Sequence, residues 1–215
     1  MSANRYETIL LPVDAEQEIN RSRFLCRLER VADEDAARAV IQAVRAEHPR
    51  ARHHCSAFVI GHDARLQRSN DDGEPSGTAG APMLDALVSA GLSDVVAVVT
   101  RYFGGVLLGA GGLTRAYRSS VAGAVLLAER VTREARQLAT VTSDYATAPA
   151  IEAEARRRGW GIEGSDYGAE VRSRLRLPPA ETETLLARAA ELSAGAARVE
   201  LADTAFVDLP GTAGA

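Results

Sequence analysis

The chain contains no lysine, so all 25 of its basic residues are arginines. This absence excludes catalysis by a lysine Schiff base or a lysine general base, and it excludes a Walker A phosphate loop, which requires a lysine. The 25 basic residues are outnumbered by 29 acidic ones, which gives a formal net charge of −4. Since nucleic-acid-binding domains are usually basic, any RNA contact would have to come from a local arginine patch.

Cysteines and long apolar runs are also scarce. The two cysteines, Cys26 and Cys55, are compatible with reduced thiols, as in most cytoplasmic proteins. The N-terminal segment has no apolar core of the kind found in signal peptides, and no apolar run approaches the roughly 20 residues that span a bilayer. We therefore expect a cytoplasmic protein that makes no membrane contact.

The pattern of apolar residues predicts an α+β fold in two domains. We place the boundary in the charged stretch Glu129–Gln137, between a first domain of residues 1–130 and a second domain of residues 137–210. The second domain shows the order β-α-β-β-α-β of a ferredoxin-like fold. The elements predicted for the first domain are strands at 22–31 and 52–60, a helix capped by Asp33, a helix around Met83–Leu92, a buried strand from Val95 and a helix from about Leu113 to Ala128.

The residues most suited to chemistry lie between Asp71 and Ser120, at the ends of buried elements. The motif GAGG, at Gly109–Gly112, is expected to open a helix after a strand. Its backbone N–H groups and the helix dipole could bind an anion, or its glycines could serve only tight turns and close helix packing. It is not a Rossmann fingerprint, because Thr114 occupies the position of the third glycine.

An acidic loop with the sequence DDGEP begins at Asp71. Asp71, Asp72 and Glu74 could bind a divalent cation, act as general bases, form a recognition loop or simply cap turns and helices. An EF-hand alignment fails, since it would place Arg68 at the first ligand position and Ala79 at the twelfth.

Two histidines precede the second cysteine at the start of a predicted strand. Neighbouring residues on a strand point to opposite faces, so only His53 and Cys55 share a face, while His54 points away. Two ligands do not make a zinc site, and no C-x-x-C or H-E-x-x-H motif supplies the others. The alternatives are a Cys–His nucleophilic pair and a buried cysteine beside a hydrogen-bonded histidine.

Arginines alternate with aromatic residues around the glycine-rich loop. This combination suits contacts with an RNA backbone and stacking on bases, or contacts with an acidic protein surface. Arg101 could instead form a structural bridge to Asp71, Asp72 or Glu74. The residues concerned are Arg101, Tyr102, Phe103, Arg115, Tyr117 and Arg118.

Three segments, AEHPRARHHC, DDGEPSGTAGAP and VVTRYFGGVLLGAGGLTRAY, resemble the IMPACT/YigZ family in order and spacing. The resemblance covers about Ile19 to Ala128, and the remainder is similar to the second domain of bacterial YigZ-type members. It implies a first domain with the fold of domain 2 of ribosomal protein S5, and a second domain similar to a C-terminal domain of the translocation factor EF-G. Eukaryotic relatives carry an additional N-terminal domain and regulate translation under stress.

The resemblance thus implies a non-catalytic protein that binds the ribosome, RNA or a translation-associated protein and modulates translation, without a cofactor or metal. The alternative is an enzyme or small-ligand-binding protein with a phosphate or metal site between the DDGEP loop and the glycine-rich helix start. The oligomeric state stays open. The positions that match the family motifs, and that we take as the candidate ligand or partner site, are His53, His54, Asp71, Asp72, Glu74, Thr78, Arg101, Tyr102, Gly104, Gly105, Gly111, Gly112 and Arg115.

Overall fold

A computed structural model of the protein describes residues 4–209, so residues 1–3 of the first predicted domain and residue 210 of the second lie outside the described part. The described chain divides into two compact units, one running to Arg133 and including Leu209, the other comprising Glu134–Asp208. No helix within residues 4–209 is long and apolar enough to cross a membrane.

Among residues 4–209, the first unit contains six complete strands and three helices, and the second unit begins within the long strand β7. The elements in chain order are β1 Arg5–Ile9, β2 Val13–Ile19, β3 Ser22–Arg30, α1 Glu34–Glu47, β4 His53–Ile60, β5 Leu66–Asn70, α2 Gly80–Ser89, β6 Val95–Tyr102, α3 Gly109–Leu127, β7 Arg130–Ser143, α4 Ala148–Arg158, β8 Gly161–Tyr167, β9 Val171–Leu177, a short 3-10 turn Pro179–Glu181, α5 Thr182–Leu192 and β10 Arg198–Asp208.

The main sheet of the first unit is antiparallel, with strand order β2-β3-β6-β4-β5. Its central strand, β6, is buried on both faces: Val95, Ala97 and Val99 pack with residues of α2 and α3, whereas Val96 and Val98 pack with residues of α1. A strand covered on both sides needs apolar residues at every position, which explains the unbroken apolar run in the sequence.

The helices of the first unit follow from local sequence signals. The carboxylate of Asp33 accepts a hydrogen bond from the backbone N–H of Ala36 and caps α1, as predicted, and the helix ends at Glu47, just before His48 and Pro49. In α3 the small residues Ala116, Ser120 and Ala124 are buried, which confirms that this helix lies close against the first core.

Several boundaries differ from the sequence prediction. Strand β2 was not predicted, because its half-buried side carries the polar Gln17 beside small and aliphatic residues. Strand β5 was not predicted because it lies at the sheet edge and is almost entirely polar. Helix α3 begins at Gly109 rather than Leu113, so the GAGG motif forms its first turn. The charged stretch Glu129–Gln137 lies mostly in β7.

The second unit has the predicted ferredoxin-like order. Strand β7 pairs with β9 and with β10, and β8 pairs with β9, giving the order β10-β7-β9-β8. Helices α4 and α5 contribute Ile151 and Leu185 to a core that also contains Leu175. Gly159 ends α4 in the left-handed conformation, with φ 71°, as expected for a glycine in the stop position. The predicted α+β class is therefore confirmed.

Gly104, just after β6, lies against the turn between β2 and β3. A Cβ at this position would stand 1.9 Å from the backbone oxygen of Arg21, whereas a Cβ at Gly123, inside α3, would meet no atom within 4 Å. We expect Gly104→Ala to lower the free energy of unfolding by about 1–3 kcal/mol, because the backbone must move. Gly123→Ala should raise it by about 1 kcal/mol through helix propensity. Urea unfolding followed by circular dichroism measures both, and equal effects of the two substitutions would contradict this packing.

Candidate functional site

A buried ion pair joins the end of β6 to the acidic loop. Nη1 of Arg101 lies 2.7 Å from Oε1 of Glu74, and the two side chains are 8% and 4% exposed. The hydroxyl of Tyr117 in α3 donates to the same oxygen at 2.7 Å. Burial raises the pKa of Tyr117 far above its usual value, so the phenol keeps its proton and remains a donor. Of the three bridges considered for Arg101, the structure contains the one to Glu74.

The first aspartate of the acidic loop serves as a helix cap. Helix α2 has no capping side chain at its own N-cap residue, and Asp71 supplies one from the loop. Its carboxylate accepts backbone N–H bonds from Gly77, Ala79 and Gly80 at 2.8, 3.0 and 2.8 Å. Burial opposes ionisation, but these three bonds outweigh it and lower the pKa of Asp71. The carboxylate of Asp71 therefore caps the N-terminus of α2.

Asp72 connects the loop to β4 and α1. Its carboxylate accepts the backbone N–H of His54 at 2.7 Å and a guanidinium N–H of Arg45 at 2.8 Å. Nearby, the Thr78 hydroxyl donates to the Pro75 carbonyl at 2.6 Å. Within residues 4–209 no group of three or more His, Cys, Asp or Glu side chains is arranged to hold a metal ion. The carboxylates of the loop therefore act as acceptors for protein donors.

The adjacent histidines of β4 face different surroundings. Nδ1 of His53 lies 2.8 Å from the carbonyl of Asp72, whereas Nε2 of His54 lies 3.1 Å from the carbonyl of His48. His53 shares its face with Cys55, whose thiol donates to the Asp71 carbonyl at 3.0 Å. Burial raises the pKa of Cys55 to about 12, so the thiol is protonated near neutral pH. Of the two alternatives for His53 and Cys55, the structure therefore contains the buried cysteine with a hydrogen-bonded histidine two residues away.

The glycines of the candidate site fall in two groups. Gly104 and Gly105 belong to the loop after β6, and Gly105 has φ +86°, which favours glycine. Gly111 and Gly112 lie in the first turn of α3, which has no side-chain cap. Arg115 lies one turn further along α3. If Gly111 carried a Cβ, that atom would lie 3.5 Å from Nη1 of Arg115.

A cleft of about 580 Å³ lies where β4 begins and β6 ends. Its walls carry three arginines and two aromatic side chains, and no carboxylate is among the lining residues of the described chain. Phe103 is 55% exposed and Leu107 is 86% exposed. The lining residues are Arg50, Ala51, Arg52, His53, Arg101, Tyr102, Phe103 and Leu107. We call this the basic cleft.

Arg101 connects the buried ion pair to the basic cleft. Its guanidinium carbon lies 5.6 Å from the ring centre of Phe103 and 5.5 Å from that of Phe24. Its Nε is buried and has no hydrogen-bond partner among the described residues. The Tyr102 hydroxyl is held 3.1 Å from Nδ1 of His48. One donor of this buried cation is thus left without a partner among the described residues and is shielded from solvent.

Only part of the predicted site lines the basic cleft. His53, Arg101 and Tyr102 do so, and Gly104 and Gly105 follow directly in the adjoining loop. Asp71, Asp72, Glu74 and Thr78 shape the acidic loop, and Gly111, Gly112 and Arg115 lie in α3. Sequence reasoning missed Arg50 and Arg52 as site residues, although both lie in the AEHPRARHHC segment; their alternation just before a strand was the available signal.

Comparisons with known proteins match both units. The Impact N-terminal domain family matches residues 20–125, and a domain of unknown function (DUF1949) matches residues 141–196. The IMPACT family member YvyE of Bacillus subtilis (strain 168) is 38% identical over 203 residues, 94% of each chain. The IMPACT family member YigZ of Escherichia coli (strain K12) is 42% identical over 188 residues, 86% of this chain and 91% of that protein.

A solved structure, described as the crystal structure of a hypothetical protein, is 38% identical to this chain. It superimposes with a TM-score of 0.66 and covers 91% of this chain and 96% of its own. The expected architecture is confirmed: a first domain of the ribosomal protein S5 domain 2 type, followed by a ferredoxin-like domain.

Replacing Glu74 by Gln should destabilise the protein strongly, because the Arg101 cation would stay buried without its counter-charge. We expect a loss of about 3–5 kcal/mol in the free energy of unfolding. Asp85→Asn is the matched control, since it removes a carboxylate that pairs with Arg118 on the exposed surface. The control should cost less than about 1 kcal/mol. Denaturant unfolding measures the free energy of unfolding of both variants. If Glu74→Gln lowers this free energy by no more than Asp85→Asn does, the assigned role of Glu74 is contradicted.

Stability should also depend on pH through His54. Burial lowers the pKa of His54 from its ordinary value near 6.5, so at mildly acidic pH the unfolded chain binds a proton that the folded chain does not. The free energy of unfolding should then fall as pH decreases from 7 to 5.5, with a slope no steeper than about 1.4 kcal/mol per pH unit for one group. His54→Gln should reduce this slope, and His62→Gln, at an exposed loop position, should preserve it. An unchanged slope in His54→Gln would be the contrary result.

Proposed function

The chain belongs to the IMPACT family, and from this premise we propose that it is a non-catalytic RNA-binding protein that associates with ribosomes and modulates translation. The observation that carries the proposal is the basic cleft, in which three arginines and an exposed aromatic ring line one concave surface without a carboxylate. Arginine and aromatic side chains together bind single-stranded RNA by contacting phosphates and stacking on bases.

The charge of the cleft differs from that of the whole chain. The chain carries a net charge of −4, yet Arg50 and Arg52 are exposed and form no ion pair with any described residue. These two exposed guanidinium groups without a paired carboxylate form a local arginine patch. An acidic protein needs such a patch to bind a polyanion such as RNA.

Phe103 supports the choice of RNA over a purely ionic ligand. Its ring is 55% exposed at the end of the central strand, and Arg101 lies beneath it at 5.6 Å. A ring held in this way by a buried cation presents a fixed surface for a stacked base, and such stacking contributes about 1–3 kcal/mol per base.

The hydrogen bonding of the acidic loop favours binding over catalysis. The metal or general-base alternative needs free carboxylates at Asp71, Asp72 and Glu74, and each of these accepts hydrogen bonds from protein donors. Cys55, the other candidate for chemistry, has a raised pKa. The proposal therefore assigns no catalytic residue.

The proposal is tested by co-sedimentation with ribosomes, with free single-stranded RNA in parallel, across a salt series. Wild-type affinity should fall steeply with salt. The double variant Arg50→Ala/Arg52→Ala should bind more weakly and lower the slope of log affinity against log salt by about one to two, since roughly one unit is lost per phosphate contact. Phe103→Ala should weaken binding by about 1–3 kcal/mol with little change in this slope.

Arg65→Ala supplies the control, because Arg65 has an 82% exposed side chain and does not line the basic cleft. It should bind as the wild type does. If all variants bind equally, the basic cleft is not the interface; if the wild type stays in the supernatant and ignores RNA at low salt, the proposed function fails.

A further inference from the structure

A second groove lies on the face of the sheet that carries α1. It has a volume of about 350 Å³ and runs between α1 and strands β4 and β5. Its α1 wall consists of positions 38, 41, 42 and 45, which form one stripe along the helix, and its β4 wall consists of alternate residues of one strand face. The lining residues are Arg38, Ile41, Gln42, Arg45, His54, Ser56, Phe58, Arg68, Ser69 and Asn70. We call it the α1 groove.

The α1 groove has an apolar part and a charged part. Ile41 and Phe58 belong to the small core under α1 and provide the apolar surface. Three guanidinium groups lie around it, and no carboxylate is among the described lining residues. Beside the apolar surface lie the neutral polar side chains of Gln42, Ser56 and Asn70, and the carboxamide oxygen of Asn70 already accepts the backbone N–H of Asp72 at 2.7 Å.

The charge balance of the α1 groove is positive even after its ion pairs are counted. Arg38 pairs with Glu34, and Arg45 pairs with Asp72 at 2.8 Å. Arg68, in contrast, donates to the backbone carbonyl of Gln67, which carries no charge. Three cations and two neighbouring carboxylates leave one positive charge, centred on the β5 side of the groove.

We propose that the α1 groove binds a nucleoside monophosphate, either free or as the phosphorylated end of an RNA strand. The volume lies in the range of about 300–1,000 Å³ that is usual for small-ligand pockets, and such pockets combine apolar walls with a few polar groups. The base lies against Ile41 and Phe58, with its edge facing Gln42 and Asn70. The phosphate takes Arg68 as its main partner, because a guanidinium matches a phosphate with two parallel hydrogen bonds.

This site is independent of the basic cleft. The two share no lining residue, and the alternation of β4 sends His53 to the basic cleft and His54 to the α1 groove. Binding in the α1 groove therefore does not rest on the proposed RNA interface, and each can be removed without touching the other.

Isothermal titration of the full chain with AMP, GMP, CMP and UMP tests the inference, with adenosine and inorganic phosphate as half-ligands. At least one nucleoside monophosphate should bind ten times more tightly than adenosine or inorganic phosphate alone, because it contacts both the apolar part and the charged part of the groove. Arg68→Gln should weaken that binding at least tenfold, and Arg65→Gln, an exposed arginine outside the groove, should leave it unchanged. A short RNA with a 5′ phosphate, compared with the same RNA lacking it, distinguishes the strand end from the free nucleotide.

Two results would overturn the inference. One is that neither the four monophosphates nor the phosphorylated RNA bind more tightly than phosphate alone. The other is that binding survives Arg68→Gln but is lost in Arg50→Ala/Arg52→Ala, which would place the ligand in the basic cleft. Loss of ribosome association with retained nucleotide binding would count against the proposed function alone.

Discussion

The arrangement around the candidate site depends on one buried charge. The guanidinium of Arg101 sits at the end of the central strand with almost no solvent contact, and Glu74 is its counter-charge. Such a pair is costly to bury and more costly to break, so the acidic loop, the end of β6 and the Tyr117 turn of α3 must occupy fixed relative positions. Phe103 extends outward from this fixed point, which is why an exposed aromatic ring can have a defined orientation.

The acidic loop illustrates how an apparently catalytic sequence can be structural. Asp71 holds the start of α2, Asp72 holds β4 and α1, and Glu74 holds Arg101. Because these carboxylates are satisfied by protein donors, they do not neutralise the exposed arginines at the start of β4. An acidic chain can thus present a basic surface, provided that its carboxylates and its free guanidinium groups occupy different places.

The predictable parts of the fold are those that local patterns specify. Burial on both faces gave β6 a continuous apolar run, Asp33 marked the start of α1, and Gly159 marked the end of α4. Strands β2 and β5 carry weaker signals: β2 alternates acidic residues with a side that includes the polar Gln17, β5 is almost entirely polar, and the two pair with β3 and β4. Within the site, the sequence predicted an ion pair for Arg101 but could not choose among three acidic partners. It also did not predict that Arg50 and Arg52 would line the same cleft as Phe103. Those relations depend on the pairing of His53 with Arg101, which brings distant segments together.

Successive side chains of β4 point to opposite faces of the sheet, so His53 faces the basic cleft and His54 faces the α1 groove. Asp72 contacts residues of both cavities. Its carbonyl meets Nδ1 of His53, while its carboxylate binds the backbone of His54 and the guanidinium of Arg45 in the wall of the groove. Arg45 is thereby neutralised within the protein, whereas Arg68, across the groove, donates to an uncharged backbone carbonyl. Asp72 also has φ 43°, a conformation that a non-glycine residue keeps only when its surroundings enforce it. Asp72 therefore holds the acidic loop against β4 on both faces of the strand, through its carbonyl on the side of His53 and through its carboxylate on the side of Arg45.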